Sequence, residues 1–304
     1  MPKSNHLIAI PVDAKFADLI GKKGSENSIT FYNRKVGDDV IVAIAPSSLS
    51  EKFYALPETL LISEQIAIST SNIDKAFGEV LIAVSLLNKR TLMTDDNDVT
   101  QFVAGLKMTS PEITNKESVL EKIISYHAKS DQSSEVRVDI DKAFPVKGVG
   151  TIVLGIVTKG TLKVHDKLYH GSGKEVVVRS IQAQDEDQQE AGKFVRVGIA
   201  TKGIEYDEME KGDILLSKPY KKASKILGKL KISEFTKQKV DVNDRYGFVS
   251  NFSYSEATVE KIEGEKVVLK FEKGLSLENG DEFMLMRSNS PRIFASGIID
   301  SVEN

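Results

Sequence analysis

A glycine loop near the start of the chain is the first place where the residue types could do chemistry. A phosphate-binding loop follows the pattern G-x-x-x-x-G-K-S/T, in which backbone N–H groups cradle the phosphates and the lysine reaches the terminal ones. Residues 21–28, Gly-Lys-Lys-Gly-Ser-Glu-Asn-Ser, hold two glycines three apart but no glycine–lysine–serine/threonine step, and none occurs elsewhere in the sequence. We therefore predict a surface turn at residues 21–28.

The sequence also offers few residues for metal binding or nucleophilic catalysis. The absence of cysteine excludes disulfides, thiolate zinc sites and a cysteine nucleophile. None of the four histidines pairs with another at metal-ligand spacing. The acidic residues Asp95, Asp96 and Asp98 lack the glycine turn and the further carboxylate of a calcium or magnesium loop. We expect a solvated loop there, no metal or cofactor, and a binding protein rather than an enzyme.

Length and composition limit the class of protein to which the chain can belong. The 304 residues suffice for two or three domains, and 40% hydrophobic with 28% charged residues is ordinary globular usage. No apolar run approaches the ~20 residues that span a bilayer, and the run Leu7 to Val12 is too short for a signal peptide. We expect a cytoplasmic monomer without a membrane partner. A net charge of −3 disfavours indiscriminate nucleic-acid binding but allows a local basic face.

The elements that must position any site change character near residue 130. Before it, buried strands are predicted at Leu7 to Val12, Val40 to Ala45, Gln65 to Ser69 and Thr91 to Thr94, with an amphipathic helix from Ala76 to Leu87. This alternation indicates a parallel α/β sheet. A capping box of Thr114 and Glu117 predicts a hinge helix that ends near His127, and the polar residues 130–135 form a linker.

Everything after about residue 135 has the pattern of β-strands separated by turns. A strand, a glycine turn around Gly148 and Gly150, and a second strand open this part, and a further all-β unit begins near Ala223. Its six strand candidates are Ile226 to Ile232, Phe248 to Phe252, Ala257 to Ile262, Lys266 to Phe271, Glu282 to Arg287 and Arg292 to Asp300. Two β-barrels or sandwiches are predicted.

Several turn motifs of this β region occur in a characteristic order. They are residues 141–151 (Asp-Lys-Ala-Phe-Pro-Val-Lys-Gly-Val-Gly-Thr), 159–168, 178–182, 196–200, 211–215 and 290–300. With these motifs the chain resembles the second and third domains of the elongation factor Tu family, most closely its archaeal selenocysteine-specific branch, SelB. The resemblance implies three domains: a degenerate GTPase-like α/β domain (1–132) and two β-barrels (133–220 and 221–304).

The N-terminal domain is more weakly similar to the GTPase domain of that family. The family's Asp-x-x-Gly, which governs magnesium and γ-phosphate sensing, is replaced by Ile44-Ala45-Pro46-Ser47. The guanine-reading Asn-Lys-x-Asp is also absent, since the strand ending at Thr94 runs into Asp95-Asp96-Asn97-Asp98. We expect GTP hydrolysis, and tight GTP binding with it, to be lost.

The resemblance also implies a ligand site on the first barrel. In SelB-like factors this barrel holds the aminoacyl end of the tRNA in a small charged pocket, and Asp141 and Arg196 match the pocket's pattern. Lys142 replaces the usual His or Arg, which keeps the charge but loses the planar donor. The alternative is that Asp141 and Arg196 form only an ion pair at the edge of the barrel.

A basic run where the second domain meets the third is a second candidate site. Its members are Lys218, Tyr220, Lys221, Lys222 and Lys225, followed by Lys229 and Lys231. Clustered lysines attract phosphates and a tyrosine offers a stacking face, so the run could contact RNA. It could equally be a linker rich in lysine for solubility.

Two functions remain open at this point. The first is a translation elongation factor-like protein that binds tRNA or another RNA without GTP hydrolysis, with possible contacts to the ribosome or another translation factor. The second is a protein-interaction module that docks on an elongation factor or a ribosomal component. An open basic face around Asp141, Lys142 and Arg196 would favour RNA, and a flat or apolar face would favour a protein.

Overall fold

Three domains follow one another in the computed structural model, which describes residues 4–49, 51–126 and 133–304. His127 and residues 130–132, at the predicted end of the hinge helix and start of the linker, lie outside the described residues. The domain boundaries predicted at 132/133 and 220/221 stay predictions. The fold class is confirmed: an α/β domain precedes two β-barrels.

The N-terminal domain is built on a seven-stranded sheet. Its strands are β1 (Asn5–Ala9), β2 (Lys22–Glu26), β3 (Ile29–Val36), β4 (Asp39–Pro46), β5 (Gln65–Ile68), β6 (Arg90–Thr94) and β7 (Glu112–Thr114). They lie in the order β2-β3-β4-β1-β5-β6-β7, in which β4, β1, β5, β6 and β7 run parallel and β2 and β3 antiparallel. The predicted parallel core is confirmed, because strands buried on both faces are continuous apolar runs.

Within residues 4–49 and 51–126, five short α-helices cover this sheet. They are α1 (Ala14–Ile20), α2 (Ala55–Ile62), α3 (Lys75–Ser85), α4 (Thr100–Gly105) and α5 (Val119–Ile124). Asp74 caps α3 by accepting a hydrogen bond from the N–H of Phe77, and the helix buries Phe77, Val80, Leu81 and Val84. The predicted amphipathic helix at 76–87 is thereby confirmed.

Two local predictions are wrong. Residues 22–26 form the edge strand β2, because Lys22 and Lys23 pair with β3 instead of forming a surface turn. The start of the hinge helix is capped by Asn115 and not by Thr114, since the Asn115 side chain accepts from the N–H of Ser118. Thr114 is the last residue of β7 and is held in the sheet beside Thr94.

The first barrel contains nine strands. They are β8 (Arg137–Val146), β9 (Gly150–Lys159), β10 (Leu162–Lys163), β11 (Lys167–His170), β12 (Glu175–Ala183), β13 (Glu186–Gln188), β14 (Glu190–Ala191), β15 (Arg196–Lys202) and β16 (Ile214–Leu216). Six of them form the closed barrel in the order β11-β16-β8-β9-β15-β12. Strand β13 pairs with β12, and β10 pairs with β14. The predicted glycine turn joins β8 to β9, and Gly148 has φ +81° as that turn requires.

The second barrel closes with six strands, and all six were predicted. They are β17 (Ala223–Ile232), β18 (Arg245–Ser250), β19 (Ser253–Glu263), β20 (Lys266–Leu275), β21 (Glu282–Met286) and β22 (Ile293–Glu303), in the order β17-β20-β19-β18-β21-β22. Alternating apolar residues fill its interior, with Phe248 packed against Phe271 and Phe283.

The three domains share hydrophobic cores. One core joins Leu56 and Phe77 of the N-terminal domain to Val249 and Met284 of the second barrel. Another joins residues of β1, β3 and β4 to Ile156 of the first barrel and Phe252 of the second. The N-terminal domain therefore packs on both barrels at once, and the apolar surface buried there favours this arrangement.

A buried arginine joins the two barrels. The guanidinium of Arg137 donates to both carboxylate oxygens of Asp139 in the first barrel and, at 2.5 Å, to Asp281 in the second. Glu278 lies 3.4 Å from the same guanidinium. Burial by itself would lower the pKa of Arg137. The carboxylates of Asp139 and Asp281 have the larger combined effect and raise this pKa well above its ordinary value. The charged groups are therefore paired within the interface.

Replacing Arg137 with alanine is expected to lower the free energy of unfolding by about 3 to 5 kcal/mol, because buried carboxylates lose their countercharge. Urea denaturation followed by circular dichroism measures this. Arg245→Ala is the matched control, since Arg245 pairs with Glu256 at an exposed site and should cost at most about 1 kcal/mol. Equal losses in the two variants would contradict the structural role given to Arg137.

Candidate functional site

The sheet of the N-terminal domain has a topological switch point at β1. Strand β1 has β4 on one side and β5 on the other, so the strand order reverses there. Open α/β sheets bind their ligands at the carboxyl ends of the strands at such a point. A cleft of about 350 Å³ lies here, lined by residues 10–14 and 45–49. Ala45, Pro46 and Ser47, which belong to the segment that replaces the Asp-x-x-Gly motif, line it at the end of β4.

A carboxylate of the chain itself occupies the helix end at this switch point. Asp13 precedes α1 with φ +69°, and its Oδ1 accepts a hydrogen bond from the N–H of Phe16 at 3.2 Å. Its Oδ2 accepts from the hydroxyl of Ser69 at 2.9 Å. The positive end of α1, which could attract an anion, therefore already faces a negative charge.

Further polar side chains continue this network across the carboxyl ends of β5, β6 and β7. Lys116 donates to Ser71 at 2.7 Å and forms an ion pair with Asp96 at 2.8 Å. Thr94 donates to the other oxygen of Asp96 at 2.6 Å, and the hydrogen bond from Lys116 lowers the pKa of Asp96. The acidic loop predicted as solvated is thus partly engaged, because Asp96 belongs to this network.

The structure brings Asp141 and Arg196 together beside the N-terminal domain. Asp141 sits at a register shift in β8, where a bulge redirects its side chain, and only 4% of the residue is exposed. Its carboxylate lies 3.6 Å from Nη2 of Arg196, and neither oxygen has a hydrogen-bond partner in the described part of the chain. Burial raises the pKa of Asp141, against the opposing effect of Arg196 and Lys211.

Arg196 is held by the N-terminal domain as well as by Asp141. Its guanidinium carbon lies 3.7 Å from the centre of the Phe31 ring, and Nη2 donates to Ser25 at 2.7 Å. Nε has no hydrogen-bond partner among the described residues. Lys142 is exposed and lies over the ring of Phe144 at 5.7 Å. Two of the three predicted residues therefore meet, and the third faces solvent.

A second ion pair at this junction was missed by the sequence reasoning. Lys211 donates to Glu58 at 2.7 Å and to Ser28 at 2.6 Å, which links the first barrel to the N-terminal domain. Burial raises the pKa of Glu58 to about 7, although Lys211 and Ser28 oppose the shift. The available signal was a lone carboxylate in the apolar run of α2, all of whose residues are buried.

A large cleft opens next to Arg196, between the N-terminal domain and the first barrel. Its volume is about 1130 Å³. One wall carries the basic residues Lys22, Lys23, Arg34 and Lys35, and the other carries Asp185, Glu186 and Glu190. Leu154 and Gly198 line it beside Arg196. The cleft is therefore open but carries both signs of charge, and a purely basic face is not observed.

The predicted basic run is mostly engaged within the chain. Lys218 pairs with Glu135, Lys222 with Asp213 and Lys225 with Glu260. Tyr220 donates to the carbonyl of Ile214 at 2.7 Å, and burial raises its pKa. Lys221 is exposed. The run therefore lines the junction of the two barrels, and its residues do not form one continuous basic surface.

Comparison with known proteins agrees with this architecture. The family model for elongation factor Tu domain 2 matches residues 150–216. An uncharacterised protein of Methanocaldococcus jannaschii is 29% identical over 88% of this chain and 90% of its own length. The selenocysteine-specific elongation factor of the same organism is 28% identical over 77% of this chain, but the match spans only 56% of that factor.

Solved structures share the fold over the whole chain. The translation elongation factor SelB from Methanococcus maripaludis, in complex with the GTP analogue GppNHp, superposes with a TM-score of 0.83 at 22% identity, covering 100% of this chain and 80% of that one. A bacterial selenocysteine-specific elongation factor gives a TM-score of 0.81 at 16% identity, over 97% of this chain and 58% of that one.

An α/β domain followed by two barrels packed against it is the architecture of the SelB structures, and the sequence similarity to elongation factors makes this a translation factor-like protein. The sequence and structure relationships go further. The chain is elongation factor Tu-like over residues 150–216 and SelB-like over most of its length. Among the described residues, no helix is long and apolar enough to cross a membrane.

The raised pKa of Glu58 predicts a pH-dependent stability. Between pH 4.5 and 7 the folded protein retains a proton that the unfolded chain has lost, so the free energy of unfolding falls as pH rises through this window. Glu58→Gln cannot ionise and should remove about 3 kcal/mol of this fall. Denaturant unfolding at several pH values checks it, with exposed Glu256→Gln as control. Parallel pH profiles for wild type and Glu58→Gln would contradict the assignment.

Proposed function

We propose that this protein binds the aminoacylated acceptor end of a tRNA in the cleft between the N-terminal domain and the first barrel. Its kinship with SelB supports a role in or near translation. The aminoacyl group would lie against Asp141 and Arg196, with Lys142 at the exposed edge of the barrel. The partner is therefore a charged tRNA, and the action is binding.

The observation that carries this proposal is the unsatisfied polar chemistry at the junction. Both oxygens of Asp141 and Nε of Arg196 are buried without hydrogen-bond partners among the described residues. Leaving such groups unpaired is costly, so they favour a ligand that offers both a donor and an acceptor. An aminoacyl ester has both, because its α-ammonium group donates hydrogen bonds and its carbonyl oxygen accepts them.

The same proposal excludes a GTP-driven cycle. A phosphate at the end of α1 would meet the carboxylate of Asp13, and Lys116 is already neutralised by Asp96. The chain also lacks a phosphate-loop lysine. We infer that the protein neither hydrolyses GTP nor couples tRNA binding to it, so its cargo must leave by dissociation or by competition from another molecule.

A protein-docking role is the second candidate, and the acidic wall of the cleft favours it. Asp185, Glu186 and Glu190 would repel a nucleic-acid backbone that ran along that side. A partner protein with basic residues would be attracted there instead. Under this alternative the degenerate domain serves as a docking surface for an elongation factor or a ribosomal component.

Filter binding of aminoacylated and deacylated bulk tRNA, at 50 and 200 mM salt, tests the proposal. We expect tighter binding of the charged tRNA and no effect of GTP on affinity or on thermal unfolding. Arg196→Ala should weaken binding of charged tRNA by about tenfold to a hundredfold, the loss expected for a charge-assisted hydrogen bond. Asp141→Asn, which keeps the volume, should reduce the discrimination between charged and deacylated tRNA.

The matched control is Arg245→Ala, because Arg245 is an exposed arginine of the second barrel. It should leave both affinities unchanged. Equal binding of charged and deacylated tRNA would contradict recognition of the aminoacyl group. If no tRNA binds at 50 mM salt, the docking role is the correct one.

A further inference from the structure

A chain of three hydrogen-bonded side chains lies in the first barrel, where β11 turns into β12. The hydroxyl of Ser172 lies 2.9 Å from Nδ1 of His170, and Nε2 of His170 lies 3.0 Å from Oδ2 of Asp213. None of these three residues lines the cleft beside Arg196. The order hydroxyl, imidazole, carboxylate is that of an activated nucleophile, its base and the group that orients the base.

The carboxylate of Asp213 is firmly held and ionised. Its Oδ1 accepts a hydrogen bond from Ser276 at 2.9 Å and forms an ion pair with Lys222 at 2.5 Å. Its Oδ2 also accepts from the N–H of Glu210 at 3.0 Å. Burial alone would raise the pKa of Asp213, but hydrogen bonds from His170 and Lys222 lower this pKa below its ordinary value. Asp213 therefore presents a fixed negative charge to the imidazole.

This negative charge sets the tautomer of His170. An ionised carboxylate only accepts hydrogen bonds, so Nε2 of His170 must donate to it. In a neutral imidazole the other nitrogen then accepts. Nδ1 accepts from the hydroxyl of Ser172 and, at 3.3 Å, from the backbone N–H of the same residue. The buried ring of His170 therefore points its basic nitrogen at the Ser172 hydroxyl.

The hydroxyl of Ser172 is accessible and is not needed to satisfy the imidazole ring. Ser172 is exposed, whereas His170 and Asp213 are buried. Without the hydroxyl, Nδ1 of His170 would still accept from the backbone N–H of Ser172. Gly171 and Gly173 flank Ser172 without side chains, which leaves the hydroxyl open to a substrate. The barrel thus presents to solvent a serine oxygen whose proton has a base to accept it.

The backbone of the turn limits the reaction to substrates with a good leaving group. Hydrolytic enzymes stabilise the oxyanion of acyl transfer with free N–H groups. Here the N–H of Ser172 faces Nδ1 of His170, and the N–H of Gly173 donates to the carbonyl of His170 at 2.9 Å. A thioester or an aryl ester, whose leaving group departs readily, can react without much oxyanion stabilisation. The serine ester that forms has a poor leaving group, so its hydrolysis is slow.

We propose that Ser172 is an acylation site, which takes the acyl group of a thioester with His170 as its base. Oγ of Ser172 attacks the carbonyl carbon while its proton moves to Nδ1 of His170. The C–S bond then breaks, the thiol leaves with that proton, and an ester of Ser172 remains. Asp213 is a positioning residue, since it acts through the imidazole. The site goes beyond the proposed function, because it requires no RNA and lies outside the cleft.

The aryl ester p-nitrophenyl acetate is the first probe of this site. We expect the full chain to release a burst of about one equivalent of p-nitrophenolate, the sign of an accumulating acyl-protein. Peptide mass spectrometry should place the acetyl group on Ser172. Ser172→Ala should lose the burst, whereas Ser180→Ala, which changes an exposed serine of the same barrel, should keep it. A burst that persists in Ser172→Ala, or acetyl groups found on lysines alone, would overturn the proposal.

A thiol replacement tests the base separately, because the natural chain contains no cysteine. In Ser172→Cys the thiol would lie beside Nδ1 of His170, where an ion pair with the imidazolium favours the thiolate. We expect iodoacetamide at about pH 6.5 to alkylate this variant about tenfold faster than the control Ser180→Cys. Equal alkylation rates would show that His170 does not act as a base, and the proposal would fail. A protein that fails both tests can still discriminate charged from deacylated tRNA, so the two proposals fail separately.

Discussion

The arrangement of the whole molecule depends on the buried guanidinium of Arg137. It pairs with Asp139 in the first barrel and with Asp281 in the second, so the two barrels have a fixed relative orientation. In this orientation Ile156 of the first barrel and Phe252 of the second belong to one apolar cluster with residues of the N-terminal domain. Gly212 reinforces it, because a side chain there would collide with the backbone at Phe252 and Ser253. The cleft beside Arg196 forms between parts already fixed in this way.

Local patterns were sufficient to predict most of the fold. The six strands of the second barrel follow from alternating apolar residues and glycine turns, which are properties of neighbouring residues. Strand β2 was missed, because five exposed residues with two lysines carry no apolar pattern. The cap of the hinge helix was misplaced by one residue, since Thr114 and Asn115 are both capping residue types and only the sheet register distinguishes them.

The candidate sites depended more on tertiary structure. Asp141 and Arg196 were found through a family resemblance, and no periodicity would have paired them. Glu58 and Lys211 are 153 positions apart and meet only because the N-terminal domain packs on the barrel. The contact of His170 with Asp213 depends on the register of β11 and β16, which the sequence of either strand alone does not specify. Sites made by domain packing and register were therefore the least accessible to sequence reasoning.

The shared cores give the N-terminal domain a structural role that requires no nucleotide. Val249, Met284 and Ile293 of the second barrel are buried against the helices of the N-terminal domain. Truncation of the N-terminal domain would expose these residues as an apolar patch on the barrel pair. Exposed apolar patches of this kind favour aggregation. The N-terminal domain therefore acts as a permanent cover that keeps this face of the barrel pair away from solvent.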